Sequence, residues 1–332
     1  VSARTTDGRT PLPFNGLRFA VIGAGRLGTS LALAMTESGG RLAAYTCLTP
    51  AGRARAQKYL DMPAAVTLAE VAATDPHYYV LSVPDAAIAA VARELAEHLG
   101  PLPVRNASAV APPPTAAGPP PFVLHTSGVS SVGLLQPCAD AGAVTLAFHP
   151  LQTFSEPLSG SRRFAGAATA VTPPLGPSAA TATDAGFRLA EGLGSRPFLL
   201  ADDKRIIYHA AACVASNYLV TLESVAQQLF VEAGMREEDA VSFFLPLVRA
   251  ALDNLASQGP VNALTGPLSR GDTGTVAGHL EALVRSSPDF EAVYRCMGLA
   301  TLQLVRARGE IDPSTLSALM NLLLTTDDQL RR

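Results

Sequence analysis

The sequence is poor in the features that commit a chain to metals, disulfides or polyanions. Its four cysteines, Cys47, Cys138, Cys213 and Cys296, lie far apart and form no CxxC pair. Isolated, reduced thiols are expected, without a disulfide frame or a cysteine metal site. The six histidines are scattered, which argues against a zinc centre. Only 16% of the residues are charged and the formal net charge is −3. No basic surface for nucleic acid follows, and nothing suggests steering to a membrane. We read no N-terminal signal pattern and no apolar run of spanning length, so a cytoplasmic protein is expected. There are no internal repeats.

What is present is apolar material in quantity. The chain has 332 residues, 48% of them hydrophobic, which suits two domains better than one core. Residues 1–16 are polar with glycine and proline and read as a flexible leader. From Leu17 the pattern alternates. "LRFAVIG" reads as a buried strand, "RLGTSLALAMTESGG" as a helix stopped by Gly39 and Gly40, and "RLAAYTC" as the next strand. Further strands are expected at "YYVLSV", "FVLHTSG", "VTLAFHP", "GAATAVT" and "RPFLL", with helices between most of them. The alternation implies a Rossmann-type parallel α/β sheet over residues 17–201. Residues 101–121, dense in proline, read as an exposed insertion. From residue 202 to 332 the pattern is all helical. It opens with one long, nearly all-apolar helix from 202 to 234, expected to be buried at the centre. A second helix is expected to kink at Pro246.

The glycine run Gly23-Ala24-Gly25-Arg26-Leu27-Gly28 sits between strand and helix, where it can cradle a dinucleotide pyrophosphate. An acid near the end of the second strand would hold the ribose 2′-hydroxyl of NAD. That region carries Thr46 and no acid, with Arg53 and Arg55 following. Charge-assisted bonds to a 2′-phosphate would suit these residues, so NADP(H) is the expected cofactor. Val83 and Pro84 fall just past a strand, at the ligand edge of such sheets.

Two further loops reach that edge. "HTSG" supplies Thr126 and Ser127. "HPLQTF" supplies His149, its backbone restrained by Pro150 and its ring suited to general acid work near neutral pH. The long helix carries Lys204, then His209, Cys213 and Ser216 at i, i+4 and i+7, with Asn217 beside them. Polar groups on such a helix need partners, which a substrate could supply. In "LTGPLSRGDTGT", Thr265, Arg270 and Asp272 cluster. Arg270 could clamp a carboxylate, and Asp272 could cap the helix that follows.

Together, the glycine loop, "VPD", "HTSG", "HPLQTF", "DKRIIYHAAACVASN" and "LTGPLSRGD" resemble the Rossmann-like/DUF2520 proteins, over residues 17–324. The resemblance implies kinship with ketopantoate reductase, pyrroline-5-carboxylate reductase and prephenate dehydrogenase. It also implies a subunit that dimerises through its helical domain. "HPLQTF" is similar to the His-Pro loop of prephenate dehydrogenases, which points to His149, with Ser127 on the preceding loop. Lys204 is similar to the lysine that opens the interdomain helix in hydroxyacid dehydrogenases and ketopantoate reductases. Those enzymes place asparagine four residues later, where this chain has Tyr208; His209 with Asn217 could stand in. The expected function is NADP(H)-dependent reduction of a small carboxylate-bearing 2-oxo acid or cyclic imine acid. A non-catalytic, dimeric NADP(H) sensor is the alternative, and a flavin enzyme a third.

Overall fold

The computed structural model describes residues 13–99 and 119–325. Most of the expected leader and of the proline-rich insertion lies outside these residues. The leader ends earlier than expected. Phe14 is buried against the core, and its N–H donates to the Ser38 carbonyl at 3.0 Å.

Seven strands form one sheet in the order β2-β1-β3-β4-β5-β6-β7. They are β1 (Arg18–Ile22), β2 (Arg41–Thr46), β3 (Tyr78–Leu81), β4 (Phe122–His125), β5 (Val144–Leu151), β6 (Ala168–Thr172) and β7 (Arg196–Leu199). Alternate residues enter opposite cores, as the two-residue period of a strand requires. Phe19, Val21, Val80 and Leu124 face one apolar cluster; Ala20, Ile22, Leu81 and Val123 face the other. Helices cover both sides, so the strands read as continuous apolar runs. α1 (Arg26–Glu37) and α7 (Ala179–Gly192) pack on one face, α3 (Leu68–Ala73), α4 (Ile88–Leu99) and α5 (Gln136–Asp140) on the other. The short helices α2 (Pro50–Ala56) and α6 (Pro157–Ser161) complete this set. The sheet is not wholly parallel as expected: β6 runs antiparallel to β5, and β7 parallel to β6.

The chain divides into two compact units after Ser216, beyond the division expected at residue 201. The expected long helix is two helices, α8 (Arg205–Ala215) and α9 (Asn217–Glu232). Between them Ser216 leaves helical geometry, at φ −122° and ψ −63°. Neither is a buried central helix. Arg205 is the one buried residue of α8, and α9 has none. Ile206, Tyr218 and Val220 are exposed.

The second unit continues with α10 (Glu237–Ala263), α11 (Thr273–Ser286), α12 (Pro288–Arg308) and α13 (Pro313–Leu324). α10 leaves helical geometry at Gly259, with φ 73°, and carries Pro246 and Pro260 within its span. By length and composition α10 is the one helix among the described residues long and apolar enough to cross a membrane, with mean hydropathy 1.2 over its most apolar 18 residues. Three acids occupy its first turn. Val276, Leu280, Leu302, Leu319 and Leu323 form the core of α11–α13. Asp312 caps α13, with Pro313 in its first turn, as the sequence suggests.

Candidate active site

The strand register assembles the site. Ile22, Leu81, His125 and Ala147 lie side by side across β1, β3, β4 and β5. The segments that follow them therefore emerge together at one edge of the sheet. Strand order reverses between β1 and β3, which opens the crevice where such sheets bind ligands.

The glycine loop fills the β1 side of that crevice. Gly23 has φ 95°, and a Cβ on it would lie 2.5 Å from the Ser82 carbonyl oxygen. A Cβ on Gly28 would lie 2.4 Å from the Gly23 oxygen. Both positions are closed to any side chain. Gly25 is different: its missing Cβ would meet nothing within 4 Å. The N–H groups of Gly23 and Ala24 both reach the Thr46 carbonyl, at 3.1 and 2.8 Å, and pin the loop to β2. The first bond of α1 runs from Thr29 N–H to the Gly25 carbonyl at 2.9 Å. Arg26, Leu27 and Gly28 thus present N–H groups with no acceptor inside the helix. No side chain caps this end, and no acid occupies its first turn. Open space over Gly25, with unpaired donors and the positive helix end, fits a dinucleotide pyrophosphate.

The end of β2 is organised by two side chains. Thr49 caps α2, its hydroxyl accepting the Gly52 N–H at 3.1 Å. Arg53 is half-buried and donates through Nη1 to the Cys47 carbonyl at 3.0 Å, bracing the turn. Arg55 is exposed. Beside β3, Val83 is half-buried and Pro84 exposed. Thr126 is buried; its N–H donates to the Leu81 carbonyl and its hydroxyl to Ser82 Oγ at 3.3 Å.

His149 lies within β5 rather than on a loop after it. β6 extends the ladder on the far side, pairing His149 with Ala170. This holds the imidazole two residues beyond the end of the pairing with β4. Nδ1 is 2.8 Å from the Tyr208 hydroxyl, and the two rings meet edge-on. His209 stands alongside, with ring centroids 6.3 Å apart. A Cβ on Gly128 would lie 2.6 Å from His209 Cδ2 and 2.8 Å from His149 Nε2. The glycine of "HTSG" is thus the floor on which both rings rest. Cys213 Sγ lies 3.8 Å from His209 Nδ1, so the i, i+4 relation holds within α8. The break at Ser216 ends the helical reckoning that placed Asn217 beside them.

Burial, then the nearby Arg205 charge and then His209 lower the His149 pKa to about 4; Asp85 opposes them. His149 is therefore neutral near pH 7. Burial also raises Tyr208 to about 12. His125 is fully buried and likewise held at about 4, chiefly by burial and by Arg205.

Ser127 is a turn-former. Its hydroxyl accepts the N–H groups of Val129 at 3.2 Å and Ser130 at 2.9 Å. The residue that fixes this loop is Arg205, fully buried, one charge among four in "DDKRIIYH" with no local mark of its role. It donates to the Ser127 and Ser130 carbonyls and to Thr172 Oγ1 at 2.8 Å. Asp202 adds a second tie, accepting from the Val132 N–H at 2.9 Å and the Ser131 hydroxyl. Lys204 is exposed and paired with exposed Asp203 at 3.1 Å.

The other candidates belong to the second unit. Asn217 is exposed at the start of α9, and Thr265 and Arg270 are exposed before α11. Asp272 caps α11: Oδ1 accepts the Thr275 N–H at 2.9 Å and Oδ2 its hydroxyl at 2.6 Å. A groove of about 920 Å³ between α11 and α13 is lined by Leu280, Val284 and Leu322 and holds none of the candidates.

Comparison with known proteins agrees with this architecture. Residues 5–150 match the Rossmann-like domain, and residues 177–301 match DUF2520, a domain of unknown function. The chain thus carries a Rossmann-like domain followed by a DUF2520 domain. It is similar in structure to a Bacteroides fragilis protein provisionally named an NADP oxidoreductase. There the TM-score is 0.62 at 21% identity, covering 90% of this chain and 100% of that one. A Thermotoga maritima protein gives 0.59 at 16%, covering 88% and 100%. A Plasmodium falciparum pyrroline carboxylate reductase, solved with NADP bound, gives 0.54 at 11%, covering 93% and 99%. At these identities the likeness is one of fold. No curated protein matches the sequence.

Proposed function

We propose that this Rossmann-like/DUF2520 chain is an NADP(H)-dependent reductase of a small carboxylate-bearing carbonyl or imine compound. A 2-oxo acid of the ketopantoate kind is the first candidate and a cyclic imine acid the second. The observation that carries the reading is the shared sheet edge. One strand register places the glycine cradle after β1 and the His149–Tyr208 pair at the end of β5.

The nicotinamide cofactor, when bound, would supply hydride. Gly23 to Gly28 and the N–H groups opening α1 would hold its diphosphate. Thr46 and Arg53, with no acid at the end of β2, favour a 2′-phosphate over a free 2′-hydroxyl. Val83, Pro84 and Thr126 would flank the nicotinamide end. His149 is the candidate donor to the oxygen or nitrogen that gains the electron pair, acting as a neutral imidazole. It is better placed for this than Lys204, whose ammonium is exposed and already paired. Arg270, an exposed cation, is the candidate for the carboxylate. A homodimer through the helical unit is supported by uncovered apolar side chains, among them Tyr218, Val220, Phe243 and Leu247.

The test is a panel of 2-oxo acids and cyclic imine acids, with loss of NADPH followed by absorbance. Turnover of a panel member supports the reading, with kcat lowered about 10²–10⁴-fold by His149→Ala. Tight NADPH binding with no turnover across the panel would instead favour the sensor.

A further inference from the structure

We propose that Tyr208 is a positioning residue that fixes the tautomer of His149, so that Nε2 carries the imidazole hydrogen and faces the reacting group. This rests on the reductase reading for its purpose, though not for its chemistry. Neutral imidazole has one N–H, and either nitrogen can bear it. Only the nitrogen turned to the substrate is useful as a donor, so something must choose.

Counting hydrogen-bond groups makes the choice. Tyr208 Oη lies 2.8 Å from His149 Nδ1 and has no other partner among the described residues. If the phenol donates, the Nδ1 lone pair is satisfied and the hydrogen must sit on Nε2. If Nδ1–H donates instead, the phenol hydrogen has no acceptor and the Nε2 lone pair has no donor. The first arrangement leaves one group to be met by a ligand or water; the second leaves two. Unpaired polar groups at a half-buried site cost stability, which favours the first.

Nε2 is also the atom left accessible. Among the described residues the one sealed, unpartnered side-chain nitrogen or oxygen is His125 Nδ1. His149 Nε2, which likewise has no hydrogen-bond partner among the described residues, is not such a sealed atom and so keeps some access. It lies over Gly128, where a Cβ would be 2.8 Å away.

The surroundings hold both members in place and keep the imidazole neutral. Phe198 of β7 meets the Tyr208 ring edge-on, with centroids 6.0 Å apart, and confines it. Arg205 and His209 of α8 oppose protonation of His149, while Asp85, beyond β3, favours it. Burial and the Arg205 charge prevail, so the tautomer, not the charged form, is what Tyr208 acts on. Tyr208 itself stays a phenol: burial pushes it up to about 12.

The experiment is nitrogen-15 NMR of imidazole-labelled full-length protein at pH 7, without cofactor, with His149 assigned by its loss in His149→Gln. Two-bond nitrogen–proton correlations distinguish the tautomers. The wild type should show His149 protonated at Nε2. Tyr208→Phe should shift the ratio toward Nδ1–H by roughly fivefold or more, the scale of one hydrogen bond. A wild type protonated at Nδ1 overturns the proposal, as does a ratio unmoved in a folded Tyr208→Phe. Should that variant fail to fold, the wild-type spectrum alone still decides which nitrogen is protonated. A failure to bind NADPH would overturn the reductase reading and leave the tautomer result unaffected, so the two failures are separable.

Discussion

Gly128 and His149 are packed so closely that the glycine cannot be replaced without moving the ring: a Cβ at 128 would lie 2.8 Å from Nε2 and 2.6 Å from Cδ2 of His209. Gly128→Ala should displace both imidazoles while leaving the cradle after β1 untouched. The expected result is turnover lowered by at least about 10²-fold with NADPH affinity little changed, since a misplaced catalytic group costs on that order. Kinetics and a binding titration on the same sample check it. Unchanged kcat would show that neither ring takes part.

Arg205 buries a guanidinium that holds the 127–130 turn by backbone carbonyls. Arg205→Met keeps much of the volume and leaves those acceptors and the Thr172 hydroxyl short of a donor. Each such buried group costs about 1–3 kcal/mol, so destabilisation on the order of 3 kcal/mol is expected. Denaturant unfolding measures it. A variant as stable as the wild type would mean that water replaces the guanidinium.

Acid should weaken the fold before the carboxylates titrate. His125 and His149 are both held at about 4, below the ordinary 6.5. Between those values the unfolded chain binds protons that the folded chain refuses, so stability is lost as pH falls. The contribution is complete above about pH 6.5 and gone below about pH 4. Asp272 and Asp312 are also held low, below their ordinary 3.8, by the hydrogen bonds they accept, so their contribution disappears only at lower pH. Melting temperature should therefore fall between pH 6.5 and 4, and less steeply in His149→Gln. A flat profile in both proteins would contradict the buried neutral histidines.

Much of the sheet was legible because its signals are local. Apolar runs of strand length, the three glycines of the cradle and the Asp312-Pro313 start each act within a few residues. The antiparallel β6 was not legible, since "GAATAVT" carries no mark of direction. Nor was the break at Ser216: alanine, valine and cysteine run through it without a glycine or proline. In α10 the departure from helical geometry falls at Gly259, with positive φ, just past the apolar stretch the sequence marks as a helix. Of the candidate site, the sequence offered His149 but not its strand position, its charge state or its bond to Tyr208. That bond joins residues 59 apart, and burial is a property of the assembled core. Arg205 was invisible for the same reason.

The account stands or falls on the cradle, and Gly25 offers the cleanest test. A Cβ there meets nothing in the protein, so Gly25→Ala should fold with an unchanged melting temperature while intruding on the space a pyrophosphate needs. Titrating NADPH into wild type and Gly25→Ala by calorimetry is the direct measurement. The account predicts saturable binding by the wild type, tighter than for NADH, and affinity lowered at least about tenfold in the variant, the equivalent of about 1.4 kcal/mol. No saturation by either nucleotide in the wild type, or equal NADPH affinity in both proteins, would contradict it.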